Sequence, residues 1–179
     1  HTRSLCDWSS DVCSSDLAAE QFATGTVRAG RWAGWRLFRV AELRQETPLS
    51  RSVYLVPADG KPVASFLPGQ YLTLRLQLPD QKRSVVRCYS LSTGPSRLPY
   101  RITVKQVTPL GTSQPDSVSE HINQRMRVGD LIEVKAPAGQ FNLVDSGPRP
   151  IVMLAAGVGI TPIYSMLSEL LSGPPSGES

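Results

Sequence analysis

The run Arg87-Cys88-Tyr89-Ser90, flanked by Val85-Val86 and Leu91-Ser92, places a cation, an aromatic ring and a hydroxyl in one short segment. Side chains alternate along a strand, so Arg87 and Tyr89 share a face and sit roughly 6.6 Å apart along the chain. A flat ring can lie against Tyr89, where aromatic contact is worth about 0.5–1.5 kcal/mol beyond burial. The forked guanidinium of Arg87 can then reach the oxygens of a phosphate chain attached to that ring. Ser90 offers a hydroxyl to a ring nitrogen whose hydrogen bonding changes with its electron state. Strict alternation points Ser90 to the opposite face, so this role requires a local bend. On these four residues alone, an ordinary strand with one exposed arginine is an equally good account. Further along, Ala156-Gly157-Val158-Gly159-Ile160-Thr161-Pro162 offers bare backbone N–H groups at the start of a helix. A flavin dinucleotide working beside a pyridine nucleotide requires both kinds of segment.

The elements that must position these residues can be read from their patterns. Six candidate strands, 36–44, 51–57, 70–77, 84–92, 100–107 and 131–136, are separated by turns rich in Pro, Gly, Asp and Ser. Short strands at that spacing predict a closed antiparallel barrel. In Phe66-Leu67-Pro68-Gly69-Gln70-Tyr71-Leu72-Thr73-Leu74, Pro-Gly makes a turn and the leucines begin a half-buried strand. In Tyr100-Arg101-Ile102-Thr103-Val104-Lys105, Ile102 and Val104 point inward and Arg101, Thr103 and Lys105 outward. Asp116-Ser117-Val118-Ser119-Glu120 opens a helix, with Ser117 and Glu120 spaced as a capping box. The unpaired N–H groups and partial positive charge at such a helix start suit a diphosphate. The continuous apolar run Ile151-Val152-Met153-Leu154-Ala155-Ala156 predicts a parallel strand covered on both faces. Thr161 suits the N-cap and Pro162 the first turn of the helix that follows, in which Ile163, Met166, Leu167, Leu170 and Leu171 recur at helical spacing. Strand, glycine turn and helix in that order make the turn a credible nucleotide motif.

Taken together these segments resemble the ferredoxin-NADP reductase superfamily, whose first domain binds flavin and whose second binds NAD(P)H. The likeness covers roughly residues 34–171. It implies that Ser90 lies at the reactive N5 edge of the flavin, with Tyr89 beside it as the catalytic pair. It implies that Tyr71, in the family's proline-glycine-glutamine-aromatic segment, borders the ring. Arg87, Cys88, Val104 and Lys105 join the FAD-binding set, as do Ser117, Val118 and Ser119. Asp116 stands where the family carries a glycine, a departure that is unfavourable beside a phosphate unless its carboxylate points away. Gly157, Val158, Gly159, Ile160, Thr161 and Pro162 become the nucleotide-binding turn. Val134-Lys135-Ala136-Pro137-Ala138-Gly139-Gln140-Phe141 resembles the strand that closes the family's barrel. The implied fold is an all-β Greek-key barrel with one capped helix, residues 34–146, then the truncated start of an α/β NAD(P)-binding domain, residues 150–179. The boundary falls at Ser146-Gly147-Pro148-Arg149-Pro150.

The implied activity is hydride transfer from NAD(P)H to FAD, then single electrons to a further centre. Two acceptors fit. Trp35-Arg36-Leu37-Phe38-Arg39-Val40 looks like the entry to the reductase half of flavohemoproteins, which oxidise nitric oxide and carry haem. Val85–Leu91 looks closer to reductases with a plant-type [2Fe-2S] domain, and between the two it favours the iron–sulfur type. A flavin-binding module without turnover is the reading from a different class.

Residues 1–17, with Cys6-Asp7-Trp8-Ser9-Ser10-Asp11-Val12-Cys13, lack periodicity and resemble translated sequencing-adapter DNA; 18–33 reads as a linker. The tail from Ser172 to Ser179 is a loop, so the whole is expected to be a fragment of a longer enzyme. The 179 residues carry a net charge of +4, which rises to +6 without residues 1–17. The basic residues are scattered, and no dense run with interleaved aromatics points to nucleic acid. Outside the first seventeen residues only Cys88 remains of three cysteines, too few for a metal site, and an iron–sulfur cluster needs about four. No stretch approaches the roughly 18 apolar residues of a membrane span and residues 1–17 do not read as a signal peptide, so a cytoplasmic location is expected.

Overall fold

The computed structural model describes residues 30–79, 81–94, 99–107, 118–143 and 150–172. The expected Ser117 and Asp116, the loop from Thr108 to Pro115, residues 1–29, 144–149 and the tail from 173 lie outside the described residues.

Six antiparallel strands form one sheet: β1 (Arg36–Thr47), β2 (Ser50–Pro57), β3 (Tyr71–Leu76), β4 (Val85–Ser90), β5 (Tyr100–Lys105) and β6 (Leu131–Val134). Their spatial order is β4-β3-β6-β1-β2-β5. The sheet curls until its two end strands meet. A bridge between Leu91 and Ile102 and the Ser92 N–H donating to the Arg101 carbonyl at 2.8 Å close the barrel. All six strands expected from the alternation are therefore present. Bulges between Val40 and Glu42 and between Gln45 and Thr47 let the long β1 bend around the barrel.

The alternation that predicted the strands also fills the core. Phe38 and Val40 of β1, Val53 and Leu55 of β2, Leu72, Leu74 and Leu76 of β3, Ile102 and Val104 of β5, and Ile132 and Val134 of β6 all point inward. Each such side chain stabilises the fold by about 1.5–3 kcal/mol. Tyr100 stacks on Phe38 at 5.8 Å, meets Phe66 edge-on at 5.9 Å, and donates its hydroxyl to the Ala64 carbonyl.

Between β5 and β6 a helix, α1, runs as an α-turn over Val118–Glu120 and widens to a π-turn over His121–Arg125. Its buried residues Val118 and Ile122, with Met126 beyond, recur every four positions and pack into the core. Arg51 ends it: Nη1 donates to the carbonyls of Ile122, Asn123 and Met126 at 3.4, 3.1 and 3.3 Å. A cation over these otherwise orphaned carbonyls is a favourable C-terminal cap.

After the barrel come a single 3₁₀ turn, Gly157–Gly159, and α2 (Ile160–Ser172). Two expectations are corrected here. Residues 151–156 form no strand ladder, although Ala156 itself is extended at φ −132° and ψ 137°. A parallel strand exists only beside a neighbour, and none lies there among the described residues, so Val152 and Leu154 remain 83% and 87% exposed. Thr161 is not the N-cap. It lies inside α2 and its hydroxyl donates back to the Val158 carbonyl at 2.9 Å, so the tighter glycine turn starts the helix instead.

Candidate flavin site

Pairing between β3 and β4 fixes which way each site residue faces. Opposed residues in an antiparallel pair share a face. Tyr89 stands opposite Leu72 and Arg87 opposite Leu74, so both belong to the inner face. Ser90 stands opposite Tyr71 and Cys88 opposite Thr73, so these belong to the outer face. The Cys88 Sγ lies 3.5 Å from the Thr73 hydroxyl, as that register requires. The motif thus presents its cation and one ring on one side, and its hydroxyl and a second ring on the other.

Among the described residues the outer edge of β4 has no strand paired to it, which leaves both sides reachable. Among those residues β4 pairs with β3 on one flank only, and its extension meets β5 at the Leu91–Ile102 bridge and through the hydrogen bonds of Ser92 to Arg101 and Thr103. A long, thin molecule lying along residues 85–90 can touch both faces at once. A ligand lying along that edge would meet Ser90 without a bend in the strand.

Each residue is chemically suited to such a molecule. Arg87 is exposed, and Nη1 donates to the Val86 carbonyl at 2.9 Å. The ion pairs among the described residues use Arg36, Arg44, Arg75 and Arg101, which leaves the Arg87 guanidinium without a carboxylate. Tyr89 is half-buried against the core. Burial pushes its phenol up to about 12, with the Arg87 charge opposing, so it stays neutral under ordinary conditions. The Ser90 hydroxyl makes no hydrogen bond to another described residue, and so can serve a ligand. Tyr71 is half-buried and held from behind: a Cβ on Gly139, whose φ is +122°, would lie 3.0 Å from two of its ring carbons. Its backbone exchanges hydrogen bonds with Ala138 at 2.9 and 3.0 Å, which pins the strand end beneath the ring.

The remaining expected residues are distributed differently. Val104 is fully packed in the core and presents only its backbone, whose carbonyl accepts from Asn123 Nδ2 at 3.1 Å. Lys105 is exposed at the end of β5, opposite Ser50. Val118 is buried, and the Ser119 hydroxyl accepts from the Val107 N–H at 3.2 Å, tying α1 to the end of β5. Gly157 has φ +55° and Val158 and Ile160 are about half exposed, so the glycine turn is open to a ligand, with Pro162 half-buried behind it. A recess of about 550 Å³ beside the turn, lined by residues such as Phe141, Ile151, Met153, Ile163 and Met166, contains none of the expected residues.

Three contributors were missed. Gly139 and Gly69 act as seats for other chains of atoms: a Cβ on Gly69 would fall 2.3 Å from the Phe141 carbonyl oxygen and 2.5 Å from the Met166 methyl. Their signal was a glycine beside a turn, which looks the same whether or not something rests on it. Ser165 is fully buried in α2, and a polar residue on a buried helix face was the signal available for it.

Comparison with known proteins places the chain in a family. The family model for oxidoreductase FAD-binding domains matches residues 41–143. A flavohemoprotein of Halalkalibacterium halodurans is 43% identical over 142 residues, covering 79% of this chain and 34% of that protein. One from Rhizobium meliloti is 42% identical over 159 residues, covering 89% and 39%. The chain thus spans little more than a third of these relatives' length. Among solved structures, the flavohem-like FAD/NAD binding domain of nitric oxide dioxygenase from Vibrio cholerae superposes with a TM-score of 0.71 at 37% identity, covering 79% of this chain and 59% of that one. Phthalate dioxygenase reductase, which passes electrons from pyridine nucleotides to [2Fe-2S], superposes with a TM-score of 0.56 at 25% identity, covering 78% and 40%. Identity favours the flavohemoprotein type, at 43%, over the iron–sulfur type toward which Val85–Leu91 leaned, at 25%. Among the described residues no helix is long and apolar enough to cross a membrane. The chain belongs to the family of oxidoreductase FAD-binding domains.

Proposed function

We propose that this chain is the flavin-binding part of an NAD(P)H-oxidising reductase of the flavohemoprotein type, with residues 34–146 holding FAD and residues 150–179 opening the nucleotide-binding domain. The observation that carries it is the edge of β4, where, among the described residues, a guanidinium without a carboxylate, two tyrosine rings and an uncommitted hydroxyl lie within four residues of one strand and one of its neighbour. These groups match the parts of FAD: a flat ring, a ring-edge nitrogen and a doubly charged diphosphate. When bound, the flavin takes a hydride, two electrons and a proton, from NAD(P)H and passes electrons on singly.

The protein's own share is positional and electrostatic. Tyr71 and Tyr89 cover apolar ring surface and keep water from it. Ser90 donates to the ring edge. Arg87 grips diphosphate oxygens through a charge-assisted, forked contact. Ser119 is assigned to the same phosphate end. The glycine turn lets the nicotinamide nucleotide approach bare backbone. The acceptor that the flavohemoprotein relatives favour is haem, carried outside this chain.

The test is spectroscopic. The purified chain is incubated with FAD, desalted, and scanned in the visible, then mixed with NADH without air. Stoichiometric yellow flavin that resists removal is expected. Absence of bound flavin after reconstitution overturns the proposal. Bleaching by NADH assigns turnover to this chain. Yellow flavin that does not bleach supports the second reading, a binding module that depends on the longer protein for turnover.

A further inference from the structure

Helix α2 carries five hydroxyl-bearing side chains, and its serines and threonine behave in two ways. Thr161 donates to the Val158 carbonyl at 2.9 Å, Ser168 to Tyr164 at 2.7 Å and Ser172 to Ser168 at 2.6 Å, all within their own turn. That local back-bonding is the usual habit of such residues in helices. Ser165 differs. It is 0% exposed and its hydroxyl crosses to the barrel, donating to the Thr93 carbonyl at 2.8 Å. Thr93 lies three residues beyond Ser90, on the direct extension of β4.

The strand end that receives this bond is firmly anchored. The Ser92 hydroxyl meets Thr103 Oγ1 at 2.9 Å, and Thr103 meets Ser52 at the same distance. Arg101 joins the parts: Nε donates to Ser52 Oγ at 3.1 Å, Nη1 to the Ser92 carbonyl at 3.4 Å and Nη2 to Glu46 at 2.9 Å, while its guanidinium lies 5.8 Å from the Tyr164 ring of α2. The next residue of the helix makes the second attachment. Met166 packs on Gly69, two residues before Tyr71. Consecutive residues Ser165 and Met166 therefore clasp the two strand ends that carry Ser90 and Tyr71.

We propose that Ser165 is a positioning residue: it couples occupation of the β4 edge by FAD to the docking of the helix that carries the glycine turn. A ligand held by Tyr71, Tyr89 and Ser90 orders the ends of β3 and β4. Through Thr93 and Gly69 that order reaches α2, so the turn is presented at a fixed approach once flavin is in place. This inference rests on the FAD-binding reading above.

Amide hydrogen exchange on the 179-residue chain, with and without FAD, tests it, since exchange reads local opening directly. FAD is expected to slow exchange over residues 160–172 by about tenfold, a typical coupling between sites. In Ser165→Ala that gain should vanish while β4 is still protected by FAD, and because coupling is reciprocal FAD affinity should fall by up to about tenfold. Ser165→Thr should keep most of the gain, and Ser168→Ala, which loses only a bond within the helix, should keep all of it. A purely structural Ser165 would make α2 looser by the same factor with and without FAD, and that result overturns the proposal, as does α2 protection that ignores FAD in the parent chain. Failure of FAD to protect β4 at all removes the flavin reading itself, and this inference with it.

Discussion

Replacing Gly139 by alanine tests how Tyr71 is held. Gly139 sits at φ +122°, a region costly for any side chain, and its added Cβ would come within 3.0 Å of two Tyr71 ring carbons. The backbone part should cost about 1–3 kcal/mol. Crowding the ring adds a further cost of about 1–3 kcal/mol, because the ring must shift against a pinned strand end. The sum is a large share of the roughly 5–15 kcal/mol that holds a domain of this kind together. The two parts separate in a double-mutant cycle with Tyr71→Ala, measured by urea unfolding. Without the ring only the backbone cost remains, so Gly139→Ala should be milder by about 1–3 kcal/mol in that background. In the same variant FAD affinity should drop, because the displaced ring no longer lies flat beside Ser90. Equal costs in both backgrounds would refute the seat, and unchanged FAD binding would refute the role of Tyr71 as a ring contact.

Gly69→Ala should lift both the Phe141 segment and Met166, whose carbonyl oxygen and methyl stand 2.3 and 2.5 Å from the new Cβ. Exchange over residues 160–172 should accelerate while β1 and β2 stay protected; uniform loss of protection would contradict a local docking contact. Alkaline stability gives a separate check. The phenol of Tyr89 is raised from 10.0 to about 12 by burial, so the folded state keeps a proton that the unfolded state releases. Its contribution is complete below pH 10 and is lost as pH rises toward 12, by about 3 kcal/mol over the two units. Tyr89→Phe should flatten that part of the stability profile, and an unchanged slope in the variant would show that Tyr89 is not desolvated.

The barrel was legible because its strands alternate cleanly. Leu72, Leu74 and Leu76, or Ile102 and Val104, can face a core in only one register, and shifting the pairing by one residue would expose them all. The site was legible as a set of residue types but not as an arrangement. Alternation alone separated Ser90 from Tyr89, and only the one-sided pairing of β4 among the described residues leaves room beside both. The run 151–156 is apolar enough for a buried strand, yet a ladder is a property of two strands, which no single segment encodes. Thr161 misled for a related reason: threonine before proline suits an N-cap, but Gly157 permits a left-handed turn that starts the helix earlier. Gly139, Gly69 and Ser165 act through contacts with residues distant in sequence, so their roles appear only after folding.

The central claim is that Arg87 grips the diphosphate of FAD at the edge of β4. Calorimetric titration of the parent chain and of Arg87→Ala with FAD and with FMN, which share the ring but differ in the phosphate chain, tests it most directly. Loss of a charge-assisted contact worth about 1.5–3 kcal/mol should weaken FAD by roughly 10- to 150-fold and FMN far less. Equal weakening of both ligands, or none, would contradict the account.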